Sequence, residues 1–215
     1  MEKGQDLKES DLKMYASLML SEVDRTHSLL NELLFISKPQ PQSDLKTCNL
    51  GSIVMEVLPI IKNHSILKEV ELEVSISKAP MLVQINPQQV KQVILNLTSN
   101  AFEAMDNCSK KTLSIKCFPL PCGSKIRLEI SDTGKGIPCH LQEKIFEPFF
   151  STKEEKKGTG LGLYVVKNIV EELNGKIWVK SETGVGTSFF IELTGIMAHS
   201  NVKNMSSRAD IITAS

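Results

Sequence analysis

Lys156-Lys157-Gly158-Thr159-Gly160-Leu161-Gly162-Leu163 is the stretch around which the rest of the chain is organised. Three glycines at alternate positions directly precede an apolar helical run over residues 161–173. Without Cβ atoms, this backbone can approach an anion closely, and the following helix turns the positive end of its dipole toward the loop. A phosphate chain suits the arrangement, and a flexible glycine-rich turn with no ligand accounts for the eight residues as well. Four neighbours favour the phosphate: Asn96 and Asn100; Asp132-Thr133-Gly134-Lys135-Gly136; Phe146, Phe149 and Phe150; and Gly184-Val185-Gly186-Thr187.

The composition removes several alternatives. The 215 residues suit one good-sized domain with an appendage, and 25 basic residues balance 25 acidic ones. No electrostatic footprint for nucleic acid or an anionic membrane is left. The five cysteines form no CxxC pair and the four histidines no HxxxH, so a zinc site is not expected and the thiols are read as free. No apolar run of about 18 residues and no signal-peptide pattern is recognised, so a cytoplasmic chain without a membrane segment is expected.

Residues 10–37 read as one long helix. Leu12, Ala16, Met19, Val23, Thr26, Leu30 and Leu33 form a heptad seam, widened by Leu18, Leu29, Leu34 and Ile36 as in a helix bundle. His27 lies next to that seam; an ordinary exposed helix residue describes it better than a catalytic one. Lys38-Pro39-Gln40-Pro41-Gln42 breaks the helix and marks a linker. Beyond it, a helix is expected over residues 53–67, interrupted in quality by Pro59. Strands are expected over 70–76, with Val70, Leu72, Val74 and Ile76 inward, and over 81–85. Asn86-Pro87 starts a helix running to Met105. Its apolar surface carries one polar stripe: Gln89, Gln92, Asn96, Asn100 and Glu103. A solvated face explains such a stripe, and so does a bound group that hydrogen-bonds the amides.

Strands follow over 112–118 and 124–131, the second alternating Ile126, Leu128 and Ile130 inward and delivering Asp132 at its end. The long charged stretch from Gly136 to Gly158, with a short helix expected near 141–145, reads as a lid or a disordered loop. Asn174-Gly175 closes the glycine-loop helix, and strands over 177–180 and 187–193 form a closing hairpin. Residues after Gly195 lack periodicity and are expected to be disordered.

Asn96-Leu97-Thr98-Ser99-Asn100, Asp132-Thr133-Gly134-Lys135-Gly136-Ile137-Pro138, Phe146-Glu147-Pro148-Phe149-Phe150 and Gly158-Thr159-Gly160-Leu161-Gly162-Leu163 resemble the N, G1, F and G2 boxes. These mark the ATP-binding domain of bacterial sensor histidine kinases, within the wider group that includes gyrase B, Hsp90 and MutL. The resemblance extends over residues 12–193. The first helix, with Val23-Asp24-Arg25 and Ser37-Lys38-Pro39, resembles the second helix of the dimerisation hairpin in sporulation and nitrogen-regulation kinases. The fold it implies is a two-layer α/β sandwich of the Bergerat type, with a mixed sheet of about five strands and three helices on one face. The implied organisation is a hairpin helix over 1–38, a linker over 39–43, an ATP-binding catalytic domain over 44–195 and a disordered tail over 196–215.

The resemblance also implies roles. Asp132 would read the adenine amino group, with Thr187 supporting it through a water. Gly134, Gly136 and Ile137 would let the backbone pass the nucleotide beside Ala104. Asn100 would hold Mg²⁺, with Asn96 one turn earlier on the same face. Gly158, Thr159, Gly160, Leu161, Gly162 and Leu163 would cradle the phosphates of ATP, and Phe149, with Phe146 and Phe150, would set the lid. In the hydrolysing relatives the residue corresponding to Asn96 is a glutamate that activates water. An amide cannot act as a base near neutral pH, which favours phosphoryl transfer to a protein. Many sensor kinases carry Lys or Arg where this chain has Glu103. Lys153 can supply that cation, and a solvated lid lysine among charged neighbours describes it as well.

The family's acceptor motif, His-Glu/Asp-x-x-Asn/Thr-Pro, has no counterpart: His27 precedes Ser28, His64 precedes Ser65 and His140 precedes Leu141. The implied function is therefore transfer of the γ-phosphoryl to a histidine on a dimerisation hairpin outside this chain, and then to a response-regulator aspartate. A homodimer is implied for the full-length protein. The rival readings are a non-catalytic module that pairs with or inhibits intact kinases, and a serine kinase of the anti-sigma type or slow ATPase, which Asn96 and the stem helix disfavour. P-loop and Rossmann sites are excluded by the absence of GxxxxGK[ST] and of strand–GxGxxG–helix spacing.

Overall fold

A computed structural model describes residues 45–121, 124–152 and 159–196, together with Tyr15, Met19 and Thr26, which are helical and exposed. The remainder of the expected stem helix, the linker, Lys153, Gly158 and the tail lie outside the described residues.

The elements run β1 (Lys46–Asn49), α1 (Leu50–Leu67), β2 (Glu71–Ile76), β3 (Leu82–Ile85), α2 (Pro87–Ala104), β4 (Thr112–Pro119) and β5 (Lys125–Asp132). Two single 3-10 turns, Cys139–Leu141 and Lys144–Phe146, precede α3 (Gly162–Glu172), β6 (Lys176–Glu182) and β7 (Gly186–Thr194). Five strands make one sheet in the order β2-β4-β5-β7-β6. Only β2–β4 is parallel, so the sheet is mixed, as expected.

Its layering follows from alternation. Leu113, Ile115 and Cys117 of β4 and Ile126, Leu128 and Ile130 of β5 are buried, as are Phe189, Ile191 and Leu193 of β7. The register sets them in rows on one face, Ile115 beside Ile130 beside Phe189 and Cys117 beside Leu128 beside Ile191. The three helices bury Ile53, Val57 and Ile61 (α1), Val90, Ile94 and Leu97 (α2), and Val165, Val166 and Ile169 (α3) in that core. Burying each such side chain contributes about 1.5–3 kcal/mol. Arg127 pairs with Glu192 across β5 and β7, and Trp178 stacks on Phe190 with centroids 5.2 Å apart. Cross-strand pairs of this kind stabilise the sheet.

The helix starts are local. Asn86 Oδ1 accepts from the Gln88 amide at 2.9 Å with Pro87 in the first turn, and Asn49 Oδ1 accepts from the Gly51 amide at 2.9 Å. α1 begins three residues earlier than expected and runs unbroken through the exposed Pro59, because its buried face holds it against α2 and the sheet. By length and composition alone α1 could cross a membrane, at a mean hydropathy of 1.2. Here its apolar face serves the core. At the end of α3, Asn174 takes φ 52° and the Gly175 amide bonds to Val170 O at 2.9 Å, the stop expected from Asn-Gly.

Two local expectations fail, and one strand is additional to those expected. Lys46–Asn49 is a strand without an alternating pattern; it pairs antiparallel with β3 in a separate two-stranded sheet. Val74 is exposed because β2 is an edge strand. The lid segment carries two 3-10 turns in place of one short helix at 141–145.

Candidate nucleotide site

At one end of the core-facing sheet surface the apolar rows stop. The next row reads Leu113, Asp132, Thr187, Ser181 across β4, β5, β7 and β6. Asp132 and Thr187 are 9% and 4% exposed, placing two polar side chains where the pattern would otherwise demand apolar ones. A buried carboxylate is costly unless hydrogen-bonded. Asp132 Oδ1 accepts from the Gly134 amide at 2.8 Å. Burial nonetheless pushes the Asp132 carboxyl up to about 6, against the opposing pull of backbone hydrogen bonds from Gly134 and Thr187. Among the described residues no charged group pairs with the Asp132 carboxylate, which keeps acceptor capacity beyond its two backbone hydrogen bonds.

The loop after Asp132 is fixed on both sides. The Lys135 amide donates to Ala104 O at 3.1 Å, tying the loop to the last turn of α2. The Gly184 amide donates to Lys135 O at 2.8 Å from the β6–β7 turn. Gly136 has φ 70°, and a Cβ there would lie 2.1 Å from Glu182 O. Its demand for glycine thus comes from the β6–β7 hairpin. Ile137 follows, its amide donating to Ser181 Oγ at 2.8 Å. Gln142 Nε2 bonds to Ile137 O at 3.0 Å and to Ser181 O at 2.8 Å, anchoring the first lid turn to β6. Neither Ser181 nor Gln142 was among the residues selected from sequence. Ser181 carried a signal, as the polar member of the alternating Ile177, Val179, Ser181; Gln142 carried none.

α2 carries the amides. Asn96 and Asn100 are half-buried, and Asn96 Nδ2 donates to Gly162 O at 3.3 Å, at the first residue of α3. A carboxylate could not make that bond. The polar stripe is not uniform: Gln89 is buried and bonds to Glu172 of α3 at 3.2 Å, while Glu103 is exposed. Among the described residues no cluster of three His, Cys, Asp or Glu side chains could hold a metal.

At the glycine loop, Thr159 Oγ1 accepts from the Leu161 amide at 3.1 Å. Gly160 has φ 67°, and a Cβ there would fall 2.4 Å from the backbone carbon of Phe149. Phe149 itself has φ 62° and is 71% exposed. Phe146 packs edge-on against Phe189 at 6.3 Å and Phe150 is partly buried on the core. Leu161 is buried, and Gly162 and Leu163 open α3, half-buried. The fold thus brings Asn96, Asn100, Ala104, Asp132–Ile137, Phe149, Thr159–Leu163 and Thr187 to the edge where α2, α3 and the sheet end meet.

A family model for histidine kinase-, DNA gyrase B- and HSP90-like ATPases matches residues 85–195, more than half of the chain. Sporulation kinase D of Bacillus subtilis (strain 168) is 35% identical over 182 residues, covering 84% of this chain and 35% of that kinase. The chain therefore spans about a third of that curated relative's length. The nucleotide-free catalytic domain of the histidine kinase ThkA superposes with a TM-score of 0.62 at 29% identity, covering 71% of this chain and 98% of that one. ThkA in complex with the response regulator protein TrrA gives a TM-score of 0.70 at 27% identity, over 91% of this chain and 55% of that one.

A two-layer α/β domain with a buried acceptor at the sheet end, flanked by amides and a glycine loop, is of the ATP-binding class. The chain belongs to the histidine kinase-, DNA gyrase B- and HSP90-like ATPase family, and within it resembles the C-terminal catalytic regions of sensor histidine kinases.

Proposed function

We propose that this chain is the ATP-binding catalytic portion of a two-component sensor histidine kinase, with residues 44–195 as the catalytic domain and 1–38 as the second helix of a dimerisation hairpin. It transfers the γ-phosphoryl of ATP to a protein histidine presented by a complete hairpin, and the phosphoryl then passes to a response-regulator aspartate. The observation that carries this reading is the buried Asp132–Thr187 pair interrupting an apolar sheet face, with the Asp132 carboxyl raised to about 6.

Asp132 accepts the adenine amino group. Gly134 to Ile137 pass along the base, and Gly158 to Leu163 wrap the phosphates with the α3 N-terminus behind them. Asn100 would hold magnesium, which would supply charge neutralisation at the phosphate oxygens. Asn96 holds α3 through the Gly162 carbonyl and offers no base to activate water, which favours transfer over hydrolysis. Lys153 supplies cationic stabilisation of the transferring group. The chain works in the cytoplasm as part of a full-length kinase that forms a homodimer and meets a response regulator.

No histidine of this chain stands in the acceptor motif, so the isolated chain binds ATP without labelling itself. The test is incubation with γ-labelled ATP and magnesium, alone and with a nucleotide-site-dead kinase that carries an intact hairpin. Acid-labile, base-stable label should appear on that partner only. Label on His27 of the isolated chain, or an unlabelled partner despite ATP binding, would contradict the transfer. Loss of an intact kinase's activity on mixing, without transfer, would point to the inhibitory module.

A further inference from the structure

Three hydrogen bonds converge on one hydroxyl. Ser181 Oγ accepts from the Ile137 amide at 2.8 Å, contacts Gly186 O at 2.7 Å and contacts Thr187 Oγ1 at 2.9 Å. A serine hydroxyl has one proton and two lone pairs. The Gly186 carbonyl can only accept, so it takes the Ser181 proton. The Ile137 amide can only donate, so it occupies one lone pair. The remaining lone pair is then filled by the proton of Thr187. Thr187 stands beside Asp132 in the β5–β7 register and is 4% exposed. With its proton committed to Ser181, it can offer Asp132's side of the site nothing but lone pairs.

We infer that Ser181 is the positioning residue for base choice: it fixes the Thr187 proton, so the Asp132–Thr187 pair faces a ligand with acceptors alone. The inference rests on the nucleotide-binding reading above and adds a residue through which selection works. A base edge carrying an exocyclic amine meets two acceptors with a donor. A 6-oxopurine moves its donor to the N1–H and sets its carbonyl oxygen where the amine stood, so an acceptor there meets an acceptor, which opposes binding. Gln142 supports this from below by holding Ile137 O and Ser181 O with one amide.

The test compares ADP with IDP, in which the 6-amine becomes a carbonyl and N1 gains a proton, by calorimetric titration with magnesium. Wild type should favour ADP, and Ser181→Ala should lower the ADP-to-IDP affinity ratio by about fivefold or more, because the released Thr187 proton can then serve an oxo group. Ser181→Thr should restore most of the ratio. Thr187→Val should also lower it, and Ser181→Ala/Thr187→Val should lower it no further than Thr187→Val does, because both act through one hydroxyl. Should Ser181→Ala not fold, Ser181→Cys, a weaker donor and acceptor of similar volume, reads the same ratio. Wild type that binds neither nucleotide would overturn the nucleotide reading itself. Wild type that binds ADP, with a ratio unmoved by Ser181→Ala or with additive losses in the double variant, would overturn this inference alone.

Discussion

The two sides of the site are built differently. The proposed base side, from Asp132 to Ile137 with Ser181, Gly186 and Thr187, buries Asp132, Gly134 and Thr187 and is cross-linked by backbone and side-chain hydrogen bonds to α2, β6 and the β6–β7 turn. The proposed phosphate side, from Cys139 through Ser151 and from Thr159 to Leu163, has two single 3-10 turns, an exposed Phe149 with positive φ, and an approach of Gly160 to the Phe149 backbone. The first is held in shape by the chain's own hydrogen bonds. The second has few buried apolar anchors, chiefly Ile145, Phe146, Phe150 and Leu161. A site of this design keeps recognition rigid and leaves closure to the segment that can move at low cost.

Substitutions at the two sides should separate accordingly. The largest effect is expected at Gly136. Alanine there combines left-handed backbone with a Cβ 2.1 Å from Glu182 O. The expected loss is about 3 kcal/mol or more in denaturant unfolding, because the Glu182 backbone must move. Gly184→Ala is the control: φ is 81° with nothing within 4 Å, so only the backbone term of about 1 kcal/mol applies. Equal losses at the two sites would break the claim that the base loop is held by packing.

Asp132→Asn is next. It should weaken ADP binding by roughly 1.5–3 kcal/mol in calorimetry, because an amide can present an amine to an amine. It should also stabilise the nucleotide-free domain, for the following reason. The carboxyl is about 6 in the folded chain against 3.8 ordinarily, so its stabilising contribution is complete below about pH 4 and is lost as pH rises through 6. The cost of keeping it charged at pH 7 is up to about 3 kcal/mol. Asn carries no such penalty, so the melting temperature of the variant should exceed wild type at pH 7.5 and the gap should close toward pH 4. A gap independent of pH would show that Asp132 is not buried as a lone charge.

The phenylalanines give the smaller effects. Phe146→Ala should destabilise by about 2–3 kcal/mol, since its ring packs on Phe189 and the core. Phe149→Ala should stay within about 0.5 kcal/mol, since its ring is exposed. Comparable losses from the two in thermal unfolding would mean that the lid is anchored through Phe149 after all.

What could be read from sequence was local. Asn86-Pro87 carries its own cap, Ile126, Leu128 and Ile130 carry their own period, and Asn174-Gly175 carries its own stop, so α2, β5 and the end of α3 were legible residue by residue. Asp132 was legible as a carboxylate at a strand end. The misses depend on partners distant in the chain. β1 exists because Lys46 to Asn49 find Ile85 to Leu82, and its four residues show no alternation. Val74 is exposed because nothing pairs beyond β2. The contact of Gly136 with Glu182, which demands glycine there, has no local sequence signal. The Ser181 hydroxyl could not be connected to Ile137, 44 positions away, before the fold was seen.

Amide hydrogen exchange with and without ADP and magnesium tests the contrast between the two sides most directly. The account predicts slow exchange over residues 132–137 and 181–187 in both states. Residues 139–152 and 159–163 should exchange fast in the free protein and become protected when ADP binds. Slow exchange of the lid residues without nucleotide, unchanged by ADP that demonstrably binds, would contradict a preformed base side joined to a ligand-closed phosphate side.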